Sequence, residues 1–228
     1  MSHRQRRDAL SRGRLQFFLL CALLAALTAA VAITAAVRPS PLPSLAEENL
    51  PGYVTRDLLD PNEWSRSGEA LKRVRGVVLH YVGNPGTTAQ ANRNYFNSLA
   101  DGAMGVYASS HFIVGLEGEV IQCVPLTEIA YASNARNDDT VSVEVCHPDE
   151  TGEYSPAAYA RAVELTAWLC RSFRLDPAED VIRHYDVSGK RCPLYYVENP
   201  GAWEALLEDV AAEMKAQEAA AEGAAKKN

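Results

Sequence analysis

Short apolar runs alternate with helical patterns along most of this chain, and that alternation constrains its fold more than any other feature. Val77-Val78-Leu79-His80-Tyr81 reads as a buried strand that ends in a histidine. Residues 141–146 read as another, with Val141, Val143 and Val145 alternating with Ser142, Glu144 and Cys146. Residues 109–114 and 120–124 read as two strands joined by Leu116-Glu117-Gly118-Glu119, a tight-hairpin signal. Between the strands lie helices. Thr87 or Thr88 can cap one that carries Ala91, Tyr95, Phe96 and Leu99, with Ala91, Tyr95 and Leu99 marking one buried face at a spacing of four. Ser155-Pro156 opens the clearest helix, with Ala162, Leu165, Thr166, Leu169 and Phe173 at helical spacing. Val181-Ile182 is a short strand, and Pro200 starts a last helix with Trp203, Leu206, Leu207 and Val210 on one face. The expected class is α/β or α+β.

The ends of the chain differ from this middle. Residues 1–14 are a basic leader, and residues 17–37 form a run without one charge. At about 1.5 Å per residue that run matches a hydrocarbon core about 30 Å thick. It is longer than the roughly 7–15 apolar residues of a secretory signal, so segment 15–37 reads as a transmembrane signal anchor. A cleaved signal peptide ending near Ala30-Val31-Ala32 is the alternative. Arginines before the run would keep the N-terminus inside and place the rest outside the cell membrane. Residues 38–51, with four prolines, read as an extended tether. The folded domain is expected over 52–210, with Trp64 and Leu58-Leu59 as docking points in its lead-in. Residues 211–228 are an Ala, Glu and Lys tail with helix propensity but little to bury, expected to fray into solvent.

Charge narrows the partners. The net charge is −7, and the five arginines and one aspartate of residues 1–14 contribute +4, which leaves −11 for the remainder. That balance argues against a nucleic-acid surface and against phosphate-rich polymers such as teichoic acids. The five cysteines, Cys21, Cys123, Cys146, Cys170 and Cys192, are odd in number and irregularly spaced, so they are no disulfide framework. They also lack a Cys-x-x-Cys pair. Buried free thiols are the simple reading, with a Cys123–Cys146 bridge as the alternative in an oxidising compartment.

The chemistry concentrates near residue 190. In Arg183-His184-Tyr185-Asp186-Val187-Ser188-Gly189-Lys190-Arg191-Cys192-Pro193, an imidazole and a thiol lie eight residues apart across a flexible Ser-Gly. Both are good zinc ligands. His80, at a strand end leading into Asn84-Pro85-Gly86, supplies a third. Three protein ligands leave a fourth tetrahedral position for water, the arrangement of a catalytic rather than a structural zinc site. Glu144 is a carboxylate in mid-strand, costly to bury unpaired, and is either solvated or aimed at a cleft.

His80, Ser142-Val143-Glu144-Val145, and His184 with Lys190-Arg191-Cys192-Pro193 together resemble the zinc-dependent N-acetylmuramoyl-L-alanine amidases. That family includes amidase domains of phage endolysins and peptidoglycan recognition proteins. The similarity covers roughly residues 76–210. It implies a mixed central sheet of about six strands flanked by helices, with a zinc cleft at one edge. It implies hydrolysis of the amide between N-acetylmuramic acid and L-alanine of peptidoglycan, with one zinc ion on His80, His184 and Cys192. By resemblance Glu144 moves the protons and Lys190 stabilises the oxyanion. His111 and Asn137 are substrate-contact candidates, with a supporting or structural role for His111 and loop solvation for Asn137 as the alternatives. Some relatives carry a catalytic tyrosine where this chain has Ser110. A monomer that cuts peptidoglycan is expected; a muropeptide-binding module without activity is the alternative.

Overall fold

The computed structural model describes residues 41–225, and the leader and apolar run of residues 1–37 lie outside them. Among the described residues no helix is long and apolar enough to cross a membrane. Six strands form one sheet: β1 (Val54–Arg56), β2 (Gly76–Tyr81), β3 (Phe112–Val114), β4 (Val120–Gln122), β5 (Thr140–Val145) and β6 (Val181–Arg183). Their order is β1-β4-β3-β5-β2-β6. Only β3 and β4 pair antiparallel, through the expected hairpin; the other neighbours run parallel. The sheet is therefore mixed, as its family resemblance implies. Gly76 starts β2 where a Cβ would lie 2.8 Å from the Asp180 carbonyl oxygen, so this close strand approach requires glycine.

Seven helices are described: α1 (Pro43–Glu48), α2 (Ala89–Ser98), α3 (Pro156–Phe173), α4 (Pro177–Asp180), α5 (His184–Ser188), α6 (Leu194–Glu198) and α7 (Pro200–Ala225). Ser155 caps α3 by accepting from the Ala158 N–H, and Pro156 takes the first helical position. Its apolar stripe, Ala162, Leu165, Thr166, Leu169 and Phe173, is buried in full. That stripe joins α7 residues Trp203, Leu206 and Val210 and the strand residues Val77, Leu79, Phe112, Val141, Val143 and Val145 in one large core. The opposite face of the sheet holds a smaller cluster, with Ile113, Ile121, Cys123, Cys146, Ala89 and Phe96. Cys123, Cys146, Cys170 and Cys192 are free and buried.

Three expectations need correction. Residues 38–51 are not all an extended tether. Pro43 starts the short helix α1 and Ala46 enters the main core. Glu47 accepts from Gln122 Nε2 and the Leu126 N–H, both at 2.8 Å. The domain also does not stop at residue 210. Helix α7 runs unbroken to Ala225, anchored where Met214 packs on the core and Gln217 Nε2 donates to the Glu164 carbonyl oxygen. The buried face of α2 is Ala89, Asn92 and Phe96 rather than Ala91 and Tyr95. The amide of Asn92 is what turns inward, donating to Thr87 Oγ1 and the Thr88 carbonyl oxygen. A polar residue with local partners shifted the helix face by one position, which an apolar count cannot register. Strand β1 was also hidden within the polar lead-in.

Candidate active site

The cleft forms where β2 and β5 end. Those strands pair in register so that His80 lies beside Glu144. Both residues alternate out of the main core, because Leu79 and Val143 take the inward positions. Strand β6 runs on the other side of β2 and delivers His184 as the first residue of α5. The chain then turns at Gly189, whose φ of 77° is left-handed, and returns with Cys192. The Tyr185 N–H donates to the Cys192 carbonyl oxygen at 2.9 Å and ties that return to α5. The cleft therefore sits at the ends of β5 and β2, with the edge strand β6 delivering His184 beside them.

His80, His184 and Cys192 are all buried, and one donor atom from each lies within 4.8 Å of the others. Cys192 Sγ is 3.8 Å from His80 Nδ1, and the two imidazole centroids are 4.7 Å apart. His80 Nε2 contacts Ser133 Oγ at 3.2 Å, and His184 Nε2 contacts Asn134 Oδ1 at 2.7 Å. His184 Nδ1 is buried with no hydrogen-bond partner. A buried ring nitrogen without a partner is costly unless something else satisfies it. Burial pushes His80 and His184 below the ordinary histidine range, helped by the Lys190 ammonium, so both rings are neutral and able to ligate. Burial also pushes the Cys192 thiol up to about 12, with Glu144 adding to the effect. A divalent cation would reverse that preference, since a coordinating thiol is deprotonated. Two neutral imidazoles, one thiol and an orphaned Nδ1 fit a zinc ion.

Glu144 and Lys190 line the same cleft, which has a volume of about 580 Å³. Glu144 Oε1 is 3.8 Å from His80 Nδ1, and Oε2 is buried without a partner. Its side chain is 16% exposed, and burial raises its carboxyl to about 8, against the opposing pull of Lys190. Phe96, Tyr107 and Tyr131 form apolar parts of the wall. Trp64, from the lead-in segment, supports that rim by stacking on Tyr107 with centroids 4.5 Å apart.

The two substrate-contact candidates separate. Asn137 lines the cleft, but its Oδ1 is engaged in accepting from the Ala132 and Ser133 N–H groups at 3.2 and 2.6 Å. His111 follows its structural alternative: it does not line the cleft. Its Nδ1 meets Ser142 at 3.0 Å and its Nε2 meets the Glu128 carbonyl oxygen at 3.0 Å, so both nitrogens serve the fold. Ser110 likewise turns inward, donating to the Phe112 carbonyl oxygen. His147 Nδ1 meets the Asp149 carbonyl oxygen at 2.7 Å, with its ring against Tyr81. Ser133 and Asn134 were not singled out as partners of the histidines. Their only signal was a polar loop preceding the Glu144 strand, and loop contacts across the sheet leave no periodicity.

Known proteins extend these observations. Residues 70–195 match the family model described as N-acetylmuramoyl-L-alanine amidase. The chain is 32% identical over 165 residues to the N-acetylmuramoyl-L-alanine amidase BlyA of Bacillus subtilis, covering 64% of this chain and 43% of that protein. It is 33% identical over 171 residues to a probable N-acetylmuramoyl-L-alanine amidase of Bacillus licheniformis, covering 69% and 47%. The chain thus spans less than half the length of these curated relatives. The fold is shared with the catalytic domain of XlyA, at a TM-score of 0.58 and 22% identity, over 69% of this chain and 98% of that one. It is shared also with PlyL, at 0.57 and 23%, over 69% and 96%. With more than half its length matched by the family model, this chain belongs to the N-acetylmuramoyl-L-alanine amidase family.

Proposed function

We propose that this chain is a zinc-dependent hydrolase that cuts the amide between N-acetylmuramic acid and L-alanine in peptidoglycan. The observation that carries the reading is the meeting of His80, His184 and Cys192 beside Glu144 and Lys190 in one cleft. The names of the curated relatives supply the bond that is cut. One zinc ion, held by those three side chains, would polarise the scissile carbonyl and acidify the attacking water. Glu144 takes the proton from that water through a carboxylate oxygen and gives it to the departing amine nitrogen. The carboxylate form accepts the proton and the carboxylic acid returns it, the two halves of general acid–base work. The Lys190 ammonium faces the same cleft and offsets negative charge growing on the carbonyl oxygen. Phe96, Tyr107 and Tyr131 offer apolar walls to the glycan or peptide.

This reading includes a monomer tethered to the membrane through residues 17–37, with the catalytic domain outside the cell. The acidic balance beyond residue 14 argues against nucleic acid as a partner. The rival reading is a muropeptide-binding module of the same fold, and the complete donor set with Glu144 and Lys190 favours the enzyme. Purified full-length chain incubated with peptidoglycan, with a chelator and then with added zinc, tests the proposal by mass spectrometry of released ends. Stem peptides beginning with L-alanine, lost on chelation and restored by zinc, are expected. Intact glycan–peptide linkages despite bound zinc would replace the enzyme with the binding module.

A further inference from the structure

Both metal-facing histidines lean on one loop. Ser133 and Asn134, adjacent in sequence, contact the Nε2 atoms of His80 and His184. Asn134 sits at φ 50°, in the left-handed region that asparagine tolerates better than most residues. Asn137 holds the loop from behind by accepting from the Ala132 and Ser133 N–H groups. The Asn137 N–H in turn donates to the Asn134 carbonyl oxygen at 3.2 Å.

These two contacts differ in what they decide. A neutral imidazole has one N–H and one lone pair. A serine hydroxyl donates or accepts, so Ser133 suits either tautomer of His80. An amide oxygen only accepts, so Asn134 Oδ1 at 2.7 Å requires the proton on His184 Nε2. The lone pair then falls on Nδ1, the atom that is buried without a partner. Reversing the amide would aim an NH₂ at Nε2 and force the proton onto Nδ1, which blocks it as a ligand.

We propose that Asn134 is a positioning residue that fixes the Nε2–H tautomer of His184 and so presents Nδ1 to the metal. The inference rests on the zinc reading of the site, and it gives a role to a residue whose type alone suggests loop solvation. Ser133 assists at His80 without setting the tautomer. Asn137 fixes where both groups stand.

Two variants of the full-length chain test it. Asn134→Gly keeps the left-handed backbone and removes the acceptor; Asn134→Asp keeps an acceptor oxygen. Zinc affinity is measured by competition with a chromogenic chelator. The His184 tautomer is read from nitrogen-15 NMR of the zinc-free protein at a pH where the ring is neutral. Asn134→Gly is expected to bind zinc about 10–100-fold more weakly and to lose the pure Nε2–H signature. Asn134→Asp is expected to keep both at or above the wild-type level. Wild-type affinity and tautomer in Asn134→Gly would overturn the proposal, as would an Asn134→Asp variant no better than the glycine one. A wild-type chain that takes up no zinc would sink the zinc reading instead, and the NMR comparison would still decide the role of Asn134.

Discussion

The two faces of the sheet carry different kinds of residue on the same strands. Toward α3 and α7, β2 and β5 present Val77, Leu79, Val141, Val143 and Val145, all inside the main core. On the opposite face the same strands present Val78, His80, Ser142 and Glu144, of which His80 and Glu144 line the cleft. A parallel strand buried on both faces usually reads as a continuous apolar run. Here one face keeps that rule and the other departs from it, one residue at a time. The departure leaves Glu144 Oε2 buried without a partner in the cleft, where α5 adds His184 Nδ1 in the same state. Stability and chemistry are thus divided across about the thickness of one sheet. Neighbouring residues on one strand should fail in different ways when changed.

The largest expected effect comes from the cleft side of β2. His80→Ala removes one of three donors, and hydrolysis of peptidoglycan should fall by about 10³-fold or more, with stoichiometric zinc lost. Metal content and release of L-alanine-ended peptides measure both. A variant that still hydrolyses without metal would break the division between faces, because the chemistry would then not depend on this donor set.

Glu144→Gln keeps the shape and removes the charge. Activity should fall by about 10²- to 10⁴-fold with zinc still bound, measured as initial rates at saturating metal. The same variant reports on burial. The folded carboxyl at about 8 lies above its ordinary 4.5, so the folded state prefers the protonated form. That contribution to stability is fully present below 4.5 and is lost as pH rises through 8. In zinc-free protein, wild type should therefore lose stability relative to Glu144→Gln across that window, by a few kcal/mol at order of magnitude. Parallel melting curves across the window would mean that the carboxyl is better solvated than its surroundings indicate.

Leu79→Ala tests the other face from the position next to His80. Leu79 is fully buried in the main core. Its truncation should cost about 2–5 kcal/mol in denaturant unfolding, while the folded fraction keeps its zinc affinity. Equal loss of metal affinity would show that packing on the core face sets the donor geometry, and the two faces would then be coupled.

Much of this division was legible in the sequence. The period of two in residues 141–146 by itself places Glu144 opposite Val143 and Val145. The order of His80, His184 and Cys192 pointed to one metal, and helix α3 announced itself through Ser155, Pro156 and its stripe. What stayed hidden depends on contacts between distant segments. The role of His111 stayed open between substrate contact and structure because its partners, Ser142 and the Glu128 carbonyl oxygen, lie 31 and 17 residues away. Asn134 reaches His184 across 50 residues, a meeting that only the sheet order creates. Glu47 anchors α1 on backbone and side chain 75 or more residues distant, so a proline-rich stretch that reads as a tether becomes part of the domain.

Helix α2 gives the smallest effect and the finest test of the face comparison. Its sequence invites the face of Ala91, Tyr95 and Leu99, yet Tyr95 is 43% exposed and Phe96 is buried. The difference of one residue corresponds to a rotation of about 100° around the helix axis. Asn92 sets that rotation, because its amide needs Thr87 and Thr88 as partners and also reaches Cys146 Sγ at 3.6 Å. Phe96 then covers the smaller cluster and forms part of the cleft wall. Phe96→Ala should cost about 3 kcal/mol or more and raise KM for peptidoglycan, since it opens both the cluster and the wall. Tyr95→Ala should stay within about 0.5 kcal/mol of wild type with KM unchanged, because an exposed ring leaves little behind. Unfolding midpoints and KM for the pair measure the contrast. A Tyr95 variant as costly as the Phe96 one would return α2 to the face its apolar spacing suggests, and would take Phe96 out of the wall.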